Sequence, residues 1–207
     1  QDARFAPLLV LDKVGMYGMS AGGHTALSLA GGRWSFAKFR DHCQANISED
    51  FATCVGLTTS LNGDLLDGVK KSVALFIIRN RFDDATLLSH TDPRIAAIVA
   101  GVPASADFEV ASLAAPKVPL GFVTAGKDKW LVPKFHSDRI LAACKQCEVV
   151  AAMPNAGHGA LLSPPPPMQV LPEIAQDLLG DPPGFDRSTM PEVDRKITAF
   201  FHRHLLQ

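Results

Sequence analysis

Hydrophobic positions along the chain fall into short apolar runs separated by longer stretches with helical period. Residues 14–17 form a first run, and 21–30 repeat apolar positions at helical spacing until Gly31 and Gly32 stop them. A second run covers 93–100 and ends at Gly101, a third covers 118–124 and closes at Gly126, and a fourth covers 148–152 and closes at Pro154. Runs of this length, bounded by glycine or proline, read as parallel strands buried on both faces. A helix beginning at Val132 or Pro133 and ending at Ala143 separates the third and fourth runs, and an amphipathic helix over 191–206 closes the chain. Residues 33–90 show helical period and turn signals but no clear strand, which predicts a helical insert or cap. The proline-rich segment 163–190 reads as an irregular surface excursion. Alternating strands and helices predict a single α/β domain over 1–207, with a mostly parallel sheet flanked by helices. Chemistry on such a sheet belongs on the loops at the C-terminal strand ends.

Composition narrows the field. Of 207 residues, 47% are hydrophobic and 20% charged, and the formal net charge is −1, which is globular composition without a polyelectrolyte face. Basic residues are scattered and aromatic residues do not interleave with them, so nothing points to nucleic acid. The longest apolar stretch of the insert, 72–78, is too short for a membrane span and ends at Arg79. The chain starts at Gln1-Asp2 without an initiator Met or a signal-peptide pattern, which suggests a processed product or a fragment.

Four cysteines add a hint about compartment. Cys43 and Cys54 flank a short polar segment, and Cys144 and Cys147 form a C-x-x-C. A redox role would place that motif at a helix start, and a zinc site would need both pairs to converge. Here Cys144 ends a helical run and Cys147 enters a strand, so two structural disulfides are preferred over free buried thiols or zinc. That choice predicts a periplasmic or secreted protein.

The candidate chemistry lies where the first run turns into the first helix. Gly18-Met19-Ser20-Ala21-Gly22 is a Gly-x-Ser-x-Gly pentapeptide at a strand-to-helix turn, where Gly18 and Gly22 are expected to let strand and helix approach. Ser20 would then sit strained and exposed, with the Ala21 N–H facing a developing oxyanion. Serine is a weak nucleophile until a base takes its proton, and that base needs a carboxylate to hold its tautomer. Asp128 follows the third run and His158 follows the fourth, which supplies both partners in the order Ser, Asp, His. Each has a plainer reading: Ser20 as a helix N-cap, Asp128 as an N-cap or turn residue, and His158 as a core histidine, for which its place between glycines gives little reason. Asp107 is the reserve acid, and His24 is a packing or pocket residue rather than a second base. Met19 and Trp130 flank the triad and would line an acyl pocket, with ordinary packing as their alternative. No metal or cofactor is called for.

These segments resemble α/β-hydrolases, through the Gly126-x-Asp128 loop with Val132-Pro133 and the Gly157-His158 loop. Within that superfamily, the stretch from Gly18 to Gly32, followed by Phe39-Arg40-Asp41-His42-Cys43 and Cys54, is similar to bacterial proteins labelled predicted dienelactone hydrolases, relatives of platelet-activating-factor acetylhydrolases. The resemblance covers about 12–158 and more loosely the last helix. It implies an α/β-hydrolase-type sheet and a serine carboxylic-ester hydrolase that cleaves short acyl esters or lactones without cofactor. Dienelactone hydrolases proper use a cysteine nucleophile; here the position is Ser20. A prolyl-oligopeptidase-type peptidase and a non-catalytic hydrolase-fold module are the rival readings. Such folds place several strands before the nucleophile, so the resemblance also implies N-terminal truncation and loss of the loop that donates the second oxyanion N–H. The first strand would then have an open edge, and self-association or a complementing N-terminal segment is expected there.

Overall fold

The computed structural model describes residues 2–206. In chain order the elements are β1 (Val14–Met19), α1 (Ala21–Leu29), β2 (Arg33–Trp34), α2 (Phe36–Asn46), α3 (Phe51–Val55), α4 (Asp67–Arg81), β3 (Ile95–Gly101), β4 (Phe108–Glu109), β5 (Leu120–Ala125), α5 (Ser137–Ala143), β6 (Glu148–Met153), α6 (Glu173–Leu179) and α7 (Met190–Leu205). Four of the strands form one sheet in the order β1-β3-β5-β6, every neighbouring pair parallel. This is an α/β fold, with helices on both faces of the sheet. Among the described residues β1 pairs only with β3, so its other edge has no strand neighbour.

The alternation of side chains within each strand explains why the strands read as continuous apolar runs. Ile98, Ala100, Leu120 and Phe122 point to one face and pack on Ala26 and Leu27 of α1 and Ile140 of α5. Ala97, Val99, Val123 and Ala151 point to the other face, where Val193 and Phe200 of α7 cover them. Strands buried on both sides leave no polar phase in the pattern.

A smaller third core lies within residues 33–90, where α2, α3 and α4 meet around Ile47, Phe51 and Ile78. The disulfide Cys43–Cys54 ties α2 to α3 at the centre of that core, and Cys144–Cys147 joins the end of α5 to the entry of β6. All four cysteines are paired, so the free-thiol and zinc alternatives fall away.

Three expectations need correction. Residues 33–90 contain a strand after all: β2 pairs antiparallel with β4, and Trp34 also bridges to Leu88. Two residues are too few to show a period. The segment 163–190 is not wholly irregular, because α6 docks Ala175 and Leu178 into the body of the protein. The helix expected over 132–143 is broken: a single 3-10 turn covers Pro133–Phe135, and α5 starts only after His136, whose backbone leaves helical geometry at φ −120°, ψ −98°. That break turns the His136 side chain inward, with consequences for the site. No helix among the described residues is long and apolar enough to cross a membrane.

Candidate active site

The turn from β1 into α1 is tight. A Cβ on Gly18 would lie 2.1 Å from the carbonyl oxygen of Gly22, and one on Gly23 would lie 2.7 Å from Cα of Pro103. Gly22 itself faces open space, so the close approach of β1 to α1 is set by Gly18, while Gly23 admits Pro103 from the loop after β3. The turn drives Ser20 to φ 57°, ψ −115°, a region that L-residues other than glycine rarely occupy. Three backbone bonds hold it there. The Ser20 N–H donates to Gly101 O, and the Ser20 carbonyl accepts from the N–H groups of His24 and Ala104. Its hydroxyl makes no capping bond to α1, so Ser20 is not an N-cap in the usual sense.

The Ser20 hydroxyl instead points to His158, with Oγ 2.9 Å from Nε2. On the far side of the ring, Nδ1–H donates to Asp128 Oδ2 at 2.7 Å. Asp128 Oδ1 accepts two backbone N–H groups, from Trp130 at 2.9 Å and Leu131 at 2.8 Å. Asp128 and His158 are buried, while Ser20 is partly open to solvent. The loops after β1, β5 and β6 therefore bring together three side chains that span 138 positions. The Nδ1–H bond to a buried carboxylate leaves the Nε2 lone pair facing the serine hydroxyl, the arrangement needed for proton abstraction. Ala21, exposed at the first position of α1, carries an N–H that has no partner inside the helix.

Neighbouring residues divide between the site and the core. The Trp130 ring lies 5.1 Å from the His158 imidazole, which puts it at the site. Met19 packs, half buried, against the core cluster on the α7 face. Asp107, the reserve acid, is engaged elsewhere: His24 Nε2–H donates to its Oδ2 at 2.8 Å, and the His24 ring lies against Trp34 and Phe108. His24 thus has its own carboxylate and packs among aromatic rings, in keeping with the packing role. A cavity of about 760 Å³ opens beside the acid loop, lined by Phe51, Leu61, Lys129, Asp177 and Leu178 among others, with none of Ser20, Asp128 or His158 in its wall.

A second buried polar group, invisible in the sequence, lies behind the acid loop. Asp50, at the start of α3, has a fully buried carboxylate. Its Oδ2 accepts from His42 Nε2–H at 2.8 Å and from His136 Nε2–H at 3.3 Å, and its Oδ1 lies 2.9 Å from the Thr53 hydroxyl. His136 Nδ1 accepts the Ser105 N–H at 2.9 Å, which fixes its proton on Nε2. Burial works to raise the Asp50 carboxyl, but hydrogen bonds from His136, His42 and Thr53 outweigh it and hold it at about 2. An acid held below its unfolded value stabilises the fold above that value and ceases to do so as pH falls through the folded one. Wild-type protein is therefore expected to lose about 2 kcal/mol more stability than Asp50→Asn between pH 4 and pH 2. Urea titrations at stepped pH measure this; parallel curves for the two proteins would contradict it.

No protein-family model matches the chain, and no match is found among curated proteins or solved structures.

Proposed function

We propose that this chain is a serine carboxylic-ester hydrolase of the α/β-hydrolase type, acting on short acyl esters or lactones through an acyl-enzyme. The observation that carries the reading is the continuous chain Ser20 Oγ–His158 Nε2 and His158 Nδ1–Asp128 Oδ2, at 2.9 and 2.7 Å, attached to a serine held at positive φ. Strained elbows of this kind cluster at reacting centres. The similarity of residues 18–32 to predicted dienelactone hydrolases supports the ester or lactone class.

In this reading Ser20 Oγ attacks the ester carbonyl as its proton passes to His158 Nε2. The imidazolium is stabilised by the Asp128 carboxylate, which stays ionised. Negative charge on the carbonyl oxygen develops towards the Ala21 N–H and the positive end of α1. Collapse of the tetrahedral intermediate breaks the acyl–oxygen bond, and His158 returns its proton to the leaving alcohol. Water, deprotonated by the same nitrogen, then releases the acid. Trp130, against the His158 ring, shields the base from bulk water and forms one wall of the acyl site. The two disulfides support maturation in an oxidising compartment, periplasmic or extracellular.

A fluorophosphonate probe is expected to label wild-type protein once per chain, at Ser20. Ser20→Ala is expected to lose labelling and to lower p-nitrophenyl acetate turnover by about 10⁴-fold or more. Folded protein that takes no label would overturn the hydrolase reading. Labelling accompanied by cleavage of a peptide anilide but not of the ester would replace it with a peptidase.

A further inference from the structure

The peptide group between Trp130 and Leu131 is held at both ends. Its N–H, from Leu131, donates to Asp128 Oδ1 at 2.8 Å. Its carbonyl, from Trp130, accepts the Thr53 hydroxyl at 2.8 Å, across 77 positions of sequence. One rigid plane therefore links the carboxylate that orients His158 to a hydroxyl contributed by α3 of the insert. We propose that Thr53 is a positioning residue for the triad acid, acting through this peptide; the inference rests on the hydrolase reading above.

Chemistry around Thr53 favours the role. The hydroxyl has one hydrogen and two acceptors in reach, Trp130 O at 2.8 Å and Asp50 Oδ1 at 2.9 Å, and shares it between them. Its oxygen accepts His136 Nε2–H at 3.0 Å, the same hydrogen that also reaches Asp50 Oδ2 at 3.3 Å in a three-centre bond. Because His136 is locked as a donor at Nε2 by the Ser105 N–H, it cannot compete for the hydroxyl hydrogen. His42 approaches from α2 and is itself steadied by Asn46, whose Nδ2 lies 3.3 Å from Nδ1. Cys54, the neighbour of Thr53, is joined to Cys43, the neighbour of His42. Thr53 is thus fixed from three directions before it meets the acid loop. Asp128 has no other described partners on Oδ1 than the two backbone N–H groups of that loop, so a rotation of the Trp130–Leu131 plane would tilt the carboxylate against His158.

Thr53→Val keeps the shape of the side chain but replaces the hydroxyl, donor and acceptor together, with a methyl group; Thr53→Ser keeps the hydroxyl. The first is expected to lower kcat for p-nitrophenyl acetate about tenfold, with KM within about twofold, because a misplaced base slows chemistry without touching the substrate. The second is expected to recover kcat to within about threefold of wild type. A structural readout runs alongside: the proton on His158 Nδ1, seen by NMR and assigned by its loss in His158→Gln, should shift in Thr53→Val and return in Thr53→Ser. Melting curves check that each variant is folded. Unchanged kcat and an unchanged Nδ1 proton in folded Thr53→Val would overturn the proposal, as would a Thr53→Ser protein no better than Thr53→Val. If wild-type protein neither labels nor hydrolyses esters, the hydrolase reading fails, and the Nδ1 proton alone then decides whether Thr53 sets the Asp128–His158 geometry.

Discussion

Asp128→Asn is expected to lower kcat by about 10⁴-fold while leaving the protein folded. The size of the loss follows from which oxygen does what. Asp128 Oδ1 accepts two backbone N–H groups, and Oδ2 accepts the His158 Nδ1–H. An amide offers one oxygen, and the two fixed backbone donors claim it. Its NH₂ must then face His158. Two N–H groups cannot bond to one another, so the imidazole moves its proton to Nε2, the nitrogen 2.9 Å from Ser20 Oγ. In that tautomer the ring donates to the serine and cannot take its proton. Steady-state turnover of p-nitrophenyl acetate measures the effect, with fluorophosphonate labelling expected to slow in parallel. Activity within tenfold of wild type would mean that Asp128 is not the acid that sets the tautomer.

The second large effect concerns folding. Gly18→Ala would place a methyl 2.1 Å from the Gly22 carbonyl oxygen and 2.5 Å from its carbon. Both atoms belong to the backbone of α1, which has no rotamer to change, so β1 and α1 would have to separate. The expected cost is about 3 kcal/mol or more, a large share of the stability of an ordinary domain. Because Ser20 lies between those two elements, probe labelling should be lost with it. Gly22→Ala is the contrast. Nothing lies within 4 Å of the added carbon, and alanine is the better helix former, so stability is expected to hold or to rise by up to about 1 kcal/mol. Urea midpoints of the two variants decide the matter. Equal damage from both would mean that the turn is not limited by the Gly18 approach.

The two glycines show where sequence reading works and where it stops. That a tight turn surrounds Ser20 is visible in the spacing alone. Which later glycine touches its neighbour depends on the rotation of α1 against β1 and on Pro103, which is brought in from the loop after β3. The four strands of the main sheet were legible for a related reason: burial on both faces makes each an uninterrupted apolar run, as in β3 and β5. Two-residue β2 and β4 have no room for a pattern, and the prolines around α6 concealed its docking residues Ala175 and Leu178. Within the site, Ser20, Asp128 and His158 announce themselves because each sits in a glycine-marked loop at a strand end. Thr53 and His136 carry no such mark. Their meaning comes from contacts across the fold, such as that between Thr53 and Trp130, and from a backbone break at His136 that no local preference dictates.

The plane shared by Asp128 and Thr53 bears on how this protein can be redesigned. A helical insert after the first helix invites treatment as an exchangeable cassette, to be swapped when a new specificity is wanted. Here residues 33–90 also supply the hydroxyl that holds the acid loop. On the proposed hydrolase reading, a graft that replaces this segment and omits a donor at position 53 is expected to misaim His158. Chimaeras that keep their activity are then expected to carry α3 and its disulfide over with the loops around them.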